Sequence, residues 1–335
     1  MNLPQKIASK AHLKARYILT DIGHKLGFYR RFYQKARGCR IMVYHGICRQ
    51  DHLKLNTLFI TRKTFEAHLK FYKKHFNIIS LADYYQQKFS ADKFNICLTF
   101  DDGFANNHKY VLPLLEQYQI PATFFITAIQ AAGYDILWND FLAMAGKYGP
   151  SKITVSDTHY VKNRFNKYIS TVDGVNLADE LRGCGFEKKR QIMKQLYSII
   201  PFKNRKNDED YWKQMTPAEI ASLAASDLVT IGAHSYYHND LARINITDAA
   251  EELVLSKLYL ENIIEKNITG FAFPYGSYNH QVIAAAKNAG YKQLLATDFN
   301  SPDDKDDPFM RERFTVNPFI SVFNQMCATV KGSYE

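Results

Sequence analysis

The chain has little of what ties proteins to oxidising compartments, membrane spans or nucleic acids. Its five cysteines (Cys39, Cys48, Cys97, Cys184 and Cys327) are scattered over 335 residues with no paired spacing. That excludes a disulfide framework and points to a reducing compartment. No run reaches the ~18 apolar residues of a membrane-spanning helix. A secretory signal is excluded too, because Lys6, Lys10, Lys14, Arg16 and Lys25 interrupt any apolar stretch near the start. There is no internal repeat. Net charge is nearly absent from most of the chain. Residues 1–40 hold ten Lys or Arg against the single acid Asp21, a net of +9, and the whole chain nets +10 from 43 basic and 33 acidic residues. The remaining 295 residues therefore net only +1, which excludes bulk binding of nucleic acid.

What is present is an ordinary globular composition, 46% hydrophobic and 23% charged, long enough for one large domain or two. The 22 Tyr and 23 Phe serve mainly as core, with some left for a carbohydrate-handling surface. Residues 1–38 read as a basic amphipathic helical segment. Ile7, Ala11, Ile18, Ile22, Leu26, Tyr29 and Tyr33 step by three, four or seven, with Lys and Arg between them. Gly23 and Gly27 are positions where the helix divides. Such a segment suits an anionic membrane surface, engaged through residues 1–37. Two other readings stay open: a helix packed on the body with a solvated basic face, and a transit peptide. The expected location is cytoplasmic, peripheral on the inner face of the membrane.

Beyond residue 38, strand-like and helical stretches alternate. Arg40–Tyr44, Asn77–Ser80, Phe94–Phe100, Pro121–Thr127, Leu228–Ala233, Gly270–Phe273, Lys292–Ala296 and Glu312–Val316 read as strands. Helices are predicted at Thr64–Phe76 with Thr64 as cap, Leu81–Phe89, Asn107–Tyr118, Thr216–Ala225, Thr247–Glu265 and Asn279–Ala289. Repeated βα units predict an α/β fold with a parallel sheet, either barrel or doubly wound. Residues 39–127 and 216–335 form its body. Residues 128–215 are far too long for a βα loop. They are expected to insert near the active-site mouth, with helices near Phe141–Lys147 and Leu177–Leu196 and a strand at Lys152–Val155.

Chemistry concentrates where strands end. Thr99-Phe100-Asp101-Asp102-Gly103 leaves two carboxylates at the C-terminal end of a buried strand. His234-Ser235-Tyr236-Tyr237-His238 follows another, and Phe271-Ala272-Phe273-Pro274-Tyr275-Gly276 a third. Alone, an Asp-Asp-Gly is more often a solvated turn and a His-x-x-x-His pair more often ordinary histidine; the combination changes the balance. Two imidazoles and one carboxylate are a usual three-ligand set for one divalent metal, here expected to be zinc. The other carboxylate is then free to act as a base. Neighbours in a strand point opposite ways, so a bend at Asp101-Asp102-Gly103 must bring both aspartates into the site, and Gly103 permits it.

These residues resemble the polysaccharide deacetylases with the NodB homology domain, carbohydrate esterase family 4. Thr99–Gly103 is similar to the first motif of that family, His234–His238 to its second and Phe273–Gly276 to part of its third. Tyr44-His45-Gly46 resembles an N-terminal signature of one branch. The resemblance covers roughly residues 40–130 and 215–320. It implies a distorted (β/α)7-type barrel and hydrolytic N-deacetylation of an N-acetylated saccharide. It makes Asp101 the base and Asp102, His234 and His238 the metal ligands, with the Tyr275 N–H holding the oxyanion and Tyr44 beside the substrate. Two departures stand out. The Arg expected two residues before the motif's Pro is Ala272, and no histidine follows His280 to supply the late general acid. His45 is the candidate for that acid or for a supporting role, and Arg311 or Arg313 could supply the missing guanidinium. The rival readings are a non-catalytic carbohydrate-binding or membrane-docked accessory protein of the same fold, and an amide hydrolase with a non-sugar substrate.

Overall fold

The computed structural model describes residues 3–334. Eight parallel strands form one curved sheet: β1 (Cys39–Tyr44), β2 (Asn95–Phe100), β3 (Ala122–Ile126), β4 (Val229–Ala233), β5 (Gly270–Ala272), β6 (Gln293–Leu295), β7 (Met310–Arg311) and β8 (Phe314–Thr315). Their spatial order is β7-β6-β5-β4-β3-β2-β1-β8, and Asn77–Ile78 adds a short ninth strand beside β2. Only Glu312 and Arg313 separate the two edge strands, so the sheet curls into a barrel left open at one seam. The predicted strand Glu312–Val316 is thus split, because the chain must cross that seam.

Strands buried on both faces read as continuous apolar runs, and the faces sort by alternation. Ile41, Cys97, Phe125, Ala272 and Leu295 point inward and fill the barrel, with Ile79 and Leu81 packed among them. Met42, Tyr44, Leu98, Phe100, Phe124 and Phe271 point outward against the helices. On that outer face the helix Arg62–His75 is capped by Thr61, whose side chain accepts from the Thr64 N–H, so the cap lies three residues before the predicted one. Thr216 and Glu219 form a capping box at the start of Pro217–Ala224.

Residues 136–212 carry an apolar core of their own, centred on Trp138, Phe141, Leu196 and Phe202. It joins the helix Trp138–Tyr148, a three-stranded antiparallel ladder (Lys152–Val155, Thr158–Lys162, Tyr168–Ser170) and the helix Phe186–Tyr197. The single helix predicted over Leu177–Leu196 breaks at Gly183–Gly185, giving Leu177–Arg182 and Phe186–Tyr197.

The N-terminal helix Leu3–Lys25 runs through Gly23 and stops before Gly27, whose φ of 80° ends it. The side chains of residues 3–11, including Ile7 and Ala11 of the predicted stripe, lie outside the described part. The rest of that stripe divides at the turn. Ile18, Ile22 and Leu26 face solvent, whereas Tyr33 is buried.

Candidate active site

The C-terminal ends of β1, β2 and β4 and the loop after β5 converge on one buried cluster. Inward alternation continues from Cys97 through Thr99 to Asp101, so Asp101 enters the barrel directly. Asp102 would face outward, but its φ of 76° and that of Gly103, 84°, fold it back into the same space. A side chain at Gly103 would meet the Ile126 Cγ2 at 2.8 Å, so both the backbone angle and the space require glycine there. The expected bend is present.

Asp102, His234 and His238 form a compact, buried donor set. Asp102 Oδ1 lies 3.3 Å from the His234 Nε2 and 3.2 Å from the His238 Nε2. Donors held about 2.0–2.2 Å from one tetrahedral ion stand about 3.4 Å apart, so these three fit a single divalent cation. His234 Nδ1 lies 2.8 Å from the Ala272 carbonyl. It can only donate there, which turns the Nε2 lone pair toward the cluster. Burial pushes the His238 imidazole below its usual range, favouring the neutral, ligating form. Burial alone would raise the Asp102 carboxyl, but the two imidazoles beside it hold it well below the usual range.

Asp101 is held differently. Arg313 grips it with two parallel hydrogen bonds, Nη1 to Oδ1 and Nη2 to Oδ2, each 2.7 Å. The guanidinium also donates to the Thr99 hydroxyl and the Ala296 carbonyl. Its side chain is fully buried in the barrel seam. Burial would raise the Asp101 carboxyl, and Arg313, then His234, outweigh it and keep it below the usual range. His45 sits half-exposed at the end of β1, beside both aspartates. A guanidinium thus reaches Asp101 from Arg313. None comes from Arg311, which stacks over the Tyr85 ring.

Tyr275 closes another side. Its φ of 60° places it in a tight turn closed by the Gly276 and Ser277 N–H groups. The donors of that turn's hydrogen bonds are the Gly276 and Ser277 N–H groups, and the Tyr275 N–H is not among them. The Tyr275 ring lies 4.8 Å from that of His238 and 4.6 Å from the Arg182 guanidinium carbon.

Tyr44 is a correction. The alternation that sends His45 inward sends Tyr44 outward, where its hydroxyl meets the Tyr72 hydroxyl at 2.7 Å and the His68 Nδ1 at 3.1 Å. It is a core residue between β1 and the helix Arg62–His75, not a substrate contact. Sequence reading missed Asp140 altogether. This insertion residue is buried with its Oδ2 unpartnered among the described residues. Burial and the nearby Asp102 carboxylate push its pKa well above the usual range. Two residues earlier, the Trp138 Nε1 donates to the His238 carbonyl at 2.9 Å, pinning the insertion to the ligand loop. Only the Ile136-Leu137-Trp138 run hinted that this segment packs inward.

A family model described as polysaccharide deacetylase matches residues 89–154 and 199–294. The gap between the two matches falls within the inserted segment. YxkH of Bacillus subtilis (strain 168), whose name places it among polysaccharide deacetylases, is 20% identical over 293 residues, covering 86% of this chain and 75% of that protein. The fold is similar to that of the Streptococcus pyogenes deacetylase PplD solved with acetate, at a TM-score of 0.53 and 16% identity over 88% of this chain and 99% of that one. It is equally similar to IcaB from Ammonifex degensii, again at a TM-score of 0.53 and 16% identity, covering 88% and 97%. The Asp-Asp strand end, the two-histidine loop and the Pro-Tyr-Gly turn are gathered in one incomplete barrel, and over residues 89–154 and 199–294 the chain carries a polysaccharide deacetylase family domain.

Proposed function

We propose that the protein is a metal-dependent hydrolase that removes the acetyl group from an N-acetylated amino sugar of a surface polysaccharide or its precursor. The observation that carries this reading is the division of labour between two adjacent aspartates. Asp102 shares its oxygen with the two imidazoles, and Asp101 is withheld from them by Arg313. A carboxylate beside a metal-ligand set but outside it is placed for proton transfer.

When bound by Asp102, His234 and His238, a divalent ion, by its donor set zinc, would polarise the acetamide carbonyl and lower the pKa of water to about 7. Asp101, kept ionised by Arg313, takes a proton from the attacking water. As the new C–O bond forms, negative charge gathers on the carbonyl oxygen, and the Tyr275 N–H donates to it. His45 gives a proton to the leaving nitrogen as the C–N bond breaks. The products are acetate and a free amine, and the two proton transfers balance.

The direct test is acetate release from a panel of N-acetylated oligosaccharides by zinc-reconstituted protein. Turnover is expected in the wild type and lost in Asp101→Asn. Saccharide binding without acetate release from any member would instead indicate a carbohydrate-binding protein of this fold. Acetate release confined to non-sugar acetamides would move the substrate class.

A further inference from the structure

The N-terminal helix is mounted with its polar side inward. Asn324 donates through its Nδ2 to the Tyr17 carbonyl and to Asp21 Oδ1, each at 3.0 Å. The Ser321 hydroxyl donates to the same Asp21 oxygen, and the His24 ring stacks on Phe323 at 4.4 Å. These contacts hold Tyr17, Asp21 and His24 against the helix Val322–Lys331 and its Ser321 cap. On the opposite side Ile18, Leu19, Ile22 and Leu26 are spaced as one helical stripe, and Phe28 follows in the turn. They are 48–67% exposed, and Phe28 is 75% exposed. Five large apolar side chains left adjacent in water are more than scattered surface residues, and they mark an interaction face.

Charge selects the occupant. The segment that carries this face nets +9 over residues 1–40. A second copy docked here would set +9 against +9, whereas an anionic surface complements it. Lys14 and Lys25 are exposed beside the stripe. Next to the turn lies a groove of about 1260 Å³ whose lining cations Arg30, Lys70, Lys74 and Lys93 outnumber its one acid, Asp92. An apolar stripe flanked by cations is the arrangement of a helix lying in a lipid interface.

We propose that this face seats the protein on an anionic phospholipid surface. Ile18, Leu19, Ile22, Leu26 and Phe28 enter the boundary between headgroups and acyl chains. Lys14, Lys25 and Arg30 meet the headgroup phosphates. This docking is independent of the hydrolytic reading, and it confines the active site to glycans held near a membrane.

The test is cosedimentation of the full chain with vesicles of phosphatidylglycerol or of phosphatidylcholine. At an ionic strength of about 0.1 M, where charges act over about 10 Å, binding is expected to the anionic vesicles and not to the neutral ones. Each cation reversed among Lys14→Glu, Lys25→Glu and Arg30→Glu should lower partitioning by about fivefold or more. The variant Ile18→Ser/Leu19→Ser/Leu26→Ser/Phe28→Ser should lose binding while its melting temperature and its release of acetate from a soluble oligosaccharide stay unchanged. Failure of the full chain to bind phosphatidylglycerol, or unchanged binding by the serine variant, overturns the proposal. So does a solution dimer that the serine variant dissociates, which would make the occupant a second copy. Acetate release is read separately, so a failed docking and a failed enzyme give different results.

Discussion

At the barrel rim Asp101, Asp102, His234 and His238 are 2–6% exposed, yet they are ionisable. On the N-terminal helix Ile18, Leu19, Ile22 and Leu26 are apolar, yet 48–67% exposed. Each region reverses the usual partition of polar and apolar groups. The rim sustains its reversal with partners, because Asp101 faces a guanidinium and Asp102 faces two imidazoles at close range. The helix face has no partner among the described residues. Where buried charge is matched, the side chains are preorganised; where exposed apolar surface is unmatched, the proposed match is a lipid surface.

The largest effects should come from breaking the rim. Asp101→Asn is expected to retain the metal and lose about 10²–10⁴-fold in turnover, the usual range for a lost acid or base. His238→Ala and Asp102→Asn should lose metal and turnover together, read by elemental analysis beside acetate release. Near-wild-type turnover in Asp101→Asn would place the base elsewhere. His45→Ala should cost a similar factor and remove the basic limb of the pH–rate profile. An unchanged basic limb would reject His45 as the acid.

Arg313→Ala tests the matching itself. It strands the buried Asp101 carboxylate, which should destabilise the fold by about 3–5 kcal/mol. Adding Asp101→Asn removes the stranded charge and should recover much of that loss in thermal unfolding. If the double variant is no more stable than Arg313→Ala, the guanidinium acts through Thr99 and the Ala296 carbonyl more than through Asp101.

How much of this was legible in sequence follows from which contacts are local. Each strand that carries a site motif was readable within one to three residues, because short apolar runs bounded by turns mark buried strands. Asp101, Asp102, His234 and His238 sit on those ends, so their convergence followed from the parallel sheet. Arg313 reaches Asp101 only because the sheet closes at a seam, 212 positions away in the chain. Composition could offer Arg311 and Arg313 equally, and only the seam distinguishes them. The resemblance of Tyr44-His45-Gly46 to a branch signature puts Tyr44 beside the substrate, against the alternation that turns neighbours apart. Asp140 lies on an insertion whose packing no periodicity announces. The apolar stripe Ile18-Ile22-Leu26 was visible, but which way it faces depends on Asn324 and Phe323, at the far end of the chain.

Lys189, on the insertion helix Phe186–Tyr197, is buried with its ammonium over the Trp138 ring at 4.3 Å and donating to Asn239. Burial pushes its pKa down to about 8, partly offset by Glu252, Cys184 and Asp240, which face it. The folded value lies below the unfolded one, so between about pH 8 and 10.4 the unfolded chain binds more protons. Stability should therefore rise with pH across that window by about 1–3 kcal/mol. Thermal unfolding should show this rise in the wild type and not in Lys189→Met. A flat wild-type profile would mean that the ammonium is hydrated after all.

The smallest expected effect sharpens the contrast most. Leu19→Ser removes a large apolar side chain, which in a core would cost about 2–5 kcal/mol. Leu19 is 67% exposed and has no partner among the buried clusters, so the change in stability should stay within about 0.5 kcal/mol. The measurement is the denaturation midpoint at unchanged slope. The neighbouring substitution His24→Ser, on the inward side, is the control. It removes the stacks on Tyr29 and Phe323 and the contact with the Tyr33 hydroxyl at 2.9 Å, and should cost about 1–3 kcal/mol. A polar residue whose loss matters more than that of an adjacent leucine would demonstrate directly that this helix is mounted apolar side out. Equal losses at the two positions would mean that the leucine face is covered within the folded chain in solution, and the contrast between rim and helix would collapse.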